Sequence, residues 1–116
     1  DVLLTYAEAE DEADGSPAAD AYTAVNDIRA RAGLTPLAGL NQADFRTAVW
    51  KERVWELCAE NKAWYDIVRT HKIFDAVHGN FVDAVGFVLP SGATFQTANL
   101  QFPIPLAEVQ VNPLLK

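Results

Sequence analysis

The chain has 116 residues, half of them apolar, with a net charge of −7 and a single cysteine. That length allows one domain with its own core, and one cysteine excludes an internal disulfide. No apolar run approaches the ~20 residues of a spanning helix, and no basic stripe of the kind a nucleic-acid backbone requires is present.

The acidity is local. Residues 1–20 hold seven acids (Asp1, Glu8, Glu10, Asp11, Glu12, Asp14, Asp20) and no Lys or Arg, leaving nine acids and nine bases over the other 96 residues. Such a run reads as a solvated helix end and loop. "AEDEADGSP" lacks the oxygen-ligand spacing of an EF-hand loop, and no Cys/His cluster has zinc spacing, so neither a metal site nor a cofactor is expected. The chain starts at Asp1 rather than Met and shows no N-terminal signal. It is therefore expected to be a piece of a longer polypeptide or a processed product.

Taken in order, "VLLTYAEAE" reads as a first helix over about 2–11. Gly15 closes it in the left-handed conformation, and Ser16 with Pro17 starts the next. That second helix covers about 17–32. Ala21, Val25, Ile28 and Ala32 form its stripe, and Arg29 and Arg31 complement its C-terminal dipole. Gly33 ends it. The short connection predicts an antiparallel helical hairpin.

Asn41 caps a third helix, with Asp44 in capping-box position. Its expected span is about 42–61, with an apolar face of Phe45, Val49, Val54, Leu57 and Cys58; Cys58 reads as a small buried hydrophobe. A kink at Asn61 leads into a fourth helix over about 62–78, which Gly79 ends. Residues 80–116 carry four of the six prolines and little helical period, so they are expected to be mostly extended or loop, laid against the helices. The fold class is mainly α: a single domain of tetratricopeptide-like antiparallel helices with an extended, proline-containing C-terminal segment.

The charged stretch "ERVWELCAENKAWYDIVRT" poses the functional question. On one helix Glu52, Glu56 and Glu60 align at i, i+4 and i+8, and His71 and His78 stand seven apart. A small hydrolase could use two such carboxylates in a cleft. No nucleophile or third group accompanies them, so ion pairs are the expected use, some reaching Arg29, Arg31 or Arg46. Arg53 lies three residues before Glu56, and Arg69 three after Asp66. Trp50, Trp64 and Tyr65 are read as packing, with a ligand platform as the minority reading. No catalytic, metal or cofactor residue is assigned.

Four blocks carry a resemblance. "VLLTYAEAE", "AYTAVNDIRARAGL" (21–34), "FRTAVWKERVWELCAENKAWYDIVRT" (45–70) and "FPIPLAEVQVNPLL" (102–115) stand in order and at suitable distances. Together they resemble the C-terminal part of the SusD/RagB family. The family form near "ER..EL..EG.RW.DLVR" is matched at Glu52, Arg53, Glu56, Leu57, Glu60, Trp64, Asp66, Val68 and Arg69. Asn61 stands for the common Gly and keeps tolerance of left-handed backbone. Ala63 stands for the common Arg, so one polar tie is expected to be missing. The last family block normally continues past the "NP.L" residues, so Lys116 is expected to lie close to the true end but short of it.

The resemblance implies a non-enzymatic role. Such proteins are lipid-anchored at the outer-membrane surface, bind oligosaccharide or another nutrient polymer, and deliver it to a TonB-dependent transporter. This chain would be the scaffold part, without the anchor. Ligand-binding residues are not carried over, because the family's glycan contacts come largely from regions before the matched part. Such a piece is expected to expose an apolar surface and to be able to form a homodimer through it. The alternative is a free-standing helical-repeat module for protein–protein interaction.

Overall fold

The computed structural model describes residues 1–112 and 114. Pro113 and Leu115, within the last of the four sequence blocks, and Lys116, at the end of the expected extended tail, lie outside the described residues. The chain is mostly helical with one small two-stranded sheet. It divides into two compact units, residues 1–64 and 65–116.

The first unit holds α1 (Val2–Asp14), α2 (Ala19–Arg31) and α3 (Gln42–Glu56). Gly15 ends α1 with φ 69°, as its lack of a Cβ allows. The expected Ser16 cap is not used. Helix α2 begins two residues later, after an extended Ala18, so Pro17 precedes the helix instead of opening it. Asn41 caps α3 as predicted, accepting from the Asp44 N–H while its Nδ2 donates to the Asp44 carboxylate.

Apolar positions at helical spacing meet in one cluster. Leu4 and Ala7 of α1, Ala21, Ala24, Val25 and Ile28 of α2, and Phe45 and Val49 of α3 are all buried there. Tyr22 lies edge-on to Phe45, with ring centroids 4.8 Å apart. Ala32, expected on the α2 stripe, is exposed because it is already the C-cap.

Three side chains of α2 fasten the 34–41 connection. Asn26 donates to the Leu37 carbonyl and accepts its N–H, Tyr22 does the same with Leu40, and Arg29 Nε donates to the Thr35 carbonyl. These bonds pair backbone groups of Thr35, Leu37 and Leu40 in a segment without regular structure.

The third helix is shorter than its period implies. It ends at Glu56, and the chain then turns through Ala59 (φ 67°) and Asn61 (φ 57°). Two left-handed residues cannot continue a right-handed helix. Cys58 falls in this turn and is exposed, not buried. The tolerance of Asn61 for left-handed backbone is used as expected.

The expected helix over 62–78 is corrected. Helix α4 covers only Ala63–Thr70, and the boundary between the units falls in its first turn. His71 takes φ 57° and breaks it. Strands β1 (Lys72–Asp75) and β2 (Asn80–Asp83) follow, paired antiparallel with Phe74 opposite Phe81. Gly79, expected as a helix end, closes the hairpin turn with φ 69° and donates to the Asp75 carbonyl. The Asp75 side chain accepts from the Val77 and His78 N–H groups, an Asx turn that stabilises the reversal.

Beyond the hairpin, Ala84 and Phe95 are buried and Val88 pairs with Thr94 in an isolated bridge. A 3-10 turn covers Thr97–Leu100. The extended expectation for the tail is corrected again at α5 (Leu106–Val111). Pro105 precedes it, where the missing N–H costs nothing, and "LAEVQV" can then take up the helix.

Candidate functional site

The charged stretch works as a set of ties between helices. Glu52 is buried and pairs with Arg29 of α2. One turn on, Glu56 receives Arg31 of α2 through both carboxylate oxygens. Arg53 is buried too. It points the other way, donating to Asp1 at 3.0 Å and to the Thr5 hydroxyl at 3.1 Å. Lys62 adds a 3.4 Å ion pair to Asp1.

The α1 side of α3 continues the pattern. Arg46 pairs with Glu12, its second nitrogen at 2.8 Å, and hydrogen bonding to Glu12 raises its already high pKa. Trp50 is half-buried and donates its indole N–H to Glu8 at 2.8 Å. Thus α3 presents Glu52 and Glu56 to basic residues of α2, and Arg46, Trp50 and Arg53 to acceptors of α1. The sign of charge alternates across the bundle, so each neighbour meets its complement.

The structure places each residue singled out by sequence. Glu52 and Glu56 each hold their own arginine. Glu60 does not align with them, because the helix has ended four residues earlier. His71 and His78 do not share a helix face, since a helix break and a hairpin turn hold them. His78 Nδ1 lies 2.6 Å from Asp75, and this hydrogen bond holds the Asp75 carboxyl below the usual carboxylate range. Arg69 pairs with Asp66 at 2.8 Å as the spacing implies. Among the described residues no group of three His, Cys, Asp or Glu side chains could hold a metal.

The acidic run is not uniformly solvated. Asp11 is fully buried, and neither of its carboxylate oxygens has a hydrogen-bond partner among the described residues. Burial, reinforced by Glu12, pushes its pKa up. Asp11 follows Leu4 and Ala7 at i, i+3 and i+7, so helical spacing puts it on the core stripe, while only the packing leaves it without a partner.

Aromatic exposure separates the remaining candidates. Trp50 and Trp64 are half-buried, as packing predicts, but Tyr65 is 57% exposed. Tyr65 meets Phe102 edge-on at 6.3 Å, and Phe102 is also exposed. Trp55 and Tyr6 are exposed rings as well. Sequence reasoning singled out neither Trp55 nor Phe102. Position on α3 could have marked Trp55, which lies off the Phe45–Val49 stripe; nothing local marks Phe102.

The comparisons with known proteins agree with the four sequence blocks. The model of the SusD family matches residues 1–116. A SusD-like protein of Formosa agariphila is 37% identical over 119 residues, which cover 99% of this chain but 21% of that protein. A crystal structure of a SusD superfamily protein from Parabacteroides distasonis superposes with a TM-score of 0.90 at 46% identity, covering 97% of this chain and 24% of that one. This chain therefore spans about a fifth to a quarter of the length of these relatives.

Proposed function

The chain belongs to the SusD family, and from that premise we propose that it is the helical scaffold part of a non-enzymatic nutrient-binding protein. The parent protein is lipid-anchored at the outer-membrane surface. It captures an oligosaccharide or similar polymer and hands it to a TonB-dependent transporter. No helix of the described residues is long and apolar enough to cross a membrane.

One observation carries the scaffold reading. The motif residues of α3, the densest charge in the sequence, are turned inward onto α1 and α2. Glu52 and Arg53 are both buried, and each holds a residue of a different helix. Groups committed in this way fix helix angles and are not available to a ligand. A ligand surface then lies among less committed groups or in other parts of the protein. Calorimetric titration of a glycan panel into the polypeptide as expressed from its native gene tests the reading. Saturable heat with one glycan class supports it. Silence across the panel, with the protein folded by circular dichroism, removes nutrient binding of the glycan kind.

A further inference from the structure

The junction of α1 and α2 reads "DGSP". Asp14 is the last residue of α1, and Gly15 follows as its left-handed cap, with φ 69° and ψ 8°. This is the one place in the chain where an Asp or Asn stands directly before a glycine; the other glycines follow Ala, His, Val or Ser. The order matters chemically. The main-chain nitrogen of the next residue is the nucleophile nearest to an Asp carboxyl carbon, and attack closes a five-membered ring. A Cβ on that next residue hinders the approach. Gly15 has none, and nothing stands within 4 Å of where one would lie.

The end of the helix leaves both reacting groups open. Inside a helix the attacking N–H is held by the carbonyl four residues back. The Gly15 N–H makes no hydrogen bond among the described residues, and the Asp11 carbonyl accepts from the Gln42 side chain at 3.0 Å. The Asp14 side chain makes no hydrogen bond or ion pair among the described residues, and Asp14, Gly15 and Ser16 are all exposed. Other aspartates differ on each count. Asp20 precedes the fully buried Ala21 within α2. Asp75 precedes Ala76, and its carboxylate is engaged by Val77 and His78.

We infer that Asp14–Gly15 is a site of spontaneous isoaspartate formation in the folded protein. The Gly15 nitrogen attacks Cγ of the neutral Asp14 carboxyl. A C–N bond forms, the C–OH bond breaks, and the hydroxyl leaves as water with the amide proton. The product is a succinimide. Water then adds to one of its two carbonyl carbons. Opening at Cγ restores aspartate; opening at the main-chain carbonyl carbon leaves isoaspartate, with the chain running through Cβ and Cγ. One water leaves and one returns, and no oxidant or other reactant is used. The main chain gains one carbon at the turn that sets α1 against α2, whose Leu4, Ala7, Ala21 and Val25 share the core.

The inference rests on the end of α1 and not on nutrient binding, so a failed glycan titration leaves it standing. It is tested on the polypeptide expressed from its native gene, held at neutral pH and body temperature for weeks, folded or in guanidinium chloride. Each sample is then digested with endoproteinase Asp-N, which does not cut before isoaspartate, and labelled with an isoaspartyl methyltransferase. The expected result is a progressive loss of cleavage before residue 14 in the folded sample, at close to the unfolded rate, with methyl label in the same peptide. Label in the unfolded sample alone overturns the inference, because α1 would then protect the bond. Asp14→Glu keeps the charge but would need a six-membered ring, so it is expected to lose the label; label that persists there overturns the assignment to Asp14. The converted fraction, once separated, is expected to unfold at a lower denaturant midpoint. An unchanged midpoint overturns the link between this turn and the helix packing.

Discussion

Residues 1–64 and residues 65–116 reach order by different means. The first unit gathers one apolar stripe from each of three helices and locks their sides with ion pairs. Among its described residues, the second has only Ala84 and Phe95 as buried apolar residues. Its order comes from backbone bonds across turns: Gly79 to Asp75, Gly86 to Phe95, Leu89 to Ala93 and Phe95 to Phe87, each 2.8 Å. Side chains far apart in sequence therefore hold the first unit, and near neighbours hold the second. The two should respond to substitution on different scales.

The largest expected effect lies in the core of the first unit. Phe45 is fully buried, so Phe45→Ala should cost about 3–5 kcal/mol. Native-state hydrogen exchange of the α1, α2 and α3 amides reads it; a loss below ~1 kcal/mol would mean that the helices are not held by this cluster. The two arginine pairs then rank by burial. The side chains of Arg29 and Glu52 are 13% and 5% exposed, against 66% and 30% for Arg31 and Glu56. Glu52→Ala leaves a desolvated guanidinium and should cost roughly 3 kcal/mol. Glu56→Ala should cost less than about 1 kcal/mol and become undetectable in high salt. Equal losses in urea titrations would show that burial does not separate the pairs.

Asp11→Asn carries a direction set by pH. Burial raises the pKa of Asp11 in the folded state. The folded protein therefore holds this proton more tightly than the unfolded chain, and ionisation opposes folding increasingly as pH rises above the ordinary carboxylate value. Asn cannot ionise. The variant should gain stability relative to the parent as pH is raised from acid to neutral, and the difference should shrink again in acid. A constant difference across that range would mean that Asp11 does not titrate with folding. The smallest effect is expected in the second unit. Phe81→Ala removes a cross-strand pair whose ring centroids lie 5.2 Å apart, and should cost about 1 kcal/mol or less. Its exchange signature should stay within residues 72–95. A loss as large as that of Phe45→Ala would erase the contrast between the units.

How far each region could be read in advance follows the same contrast. The stripe of α2, the Asn41 cap and the closing role of Gly15 are local signals with a 3.6-residue period or a fixed stereochemical demand. The pairing of Arg29 and Arg31 with α3 was also legible, because residues four apart on α3 must face one neighbour. The hairpin was not. "AWYDIVRTHKIFDAV" keeps helical spacing past its real end, and strands of four residues are too short for alternation to show. Nothing in that segment announces that His71 turns left-handed or that Lys72 finds Asp83 as its partner.

By itself, the sequence determined the mainly helical class, the first two helices, the start of the third, and the family, through four ordered blocks. It also pointed to arginine partners for Glu52 and Glu56. Tertiary structure alone decided where α3 stops, which carboxylate is buried without a partner, that Cys58 is exposed, and that the outer face of α1 is open in this chain. The reason is physical. Helical period and caps act through bonds three or four residues apart, whereas burial and strand pairing depend on which distant side chains come to occupy the same space.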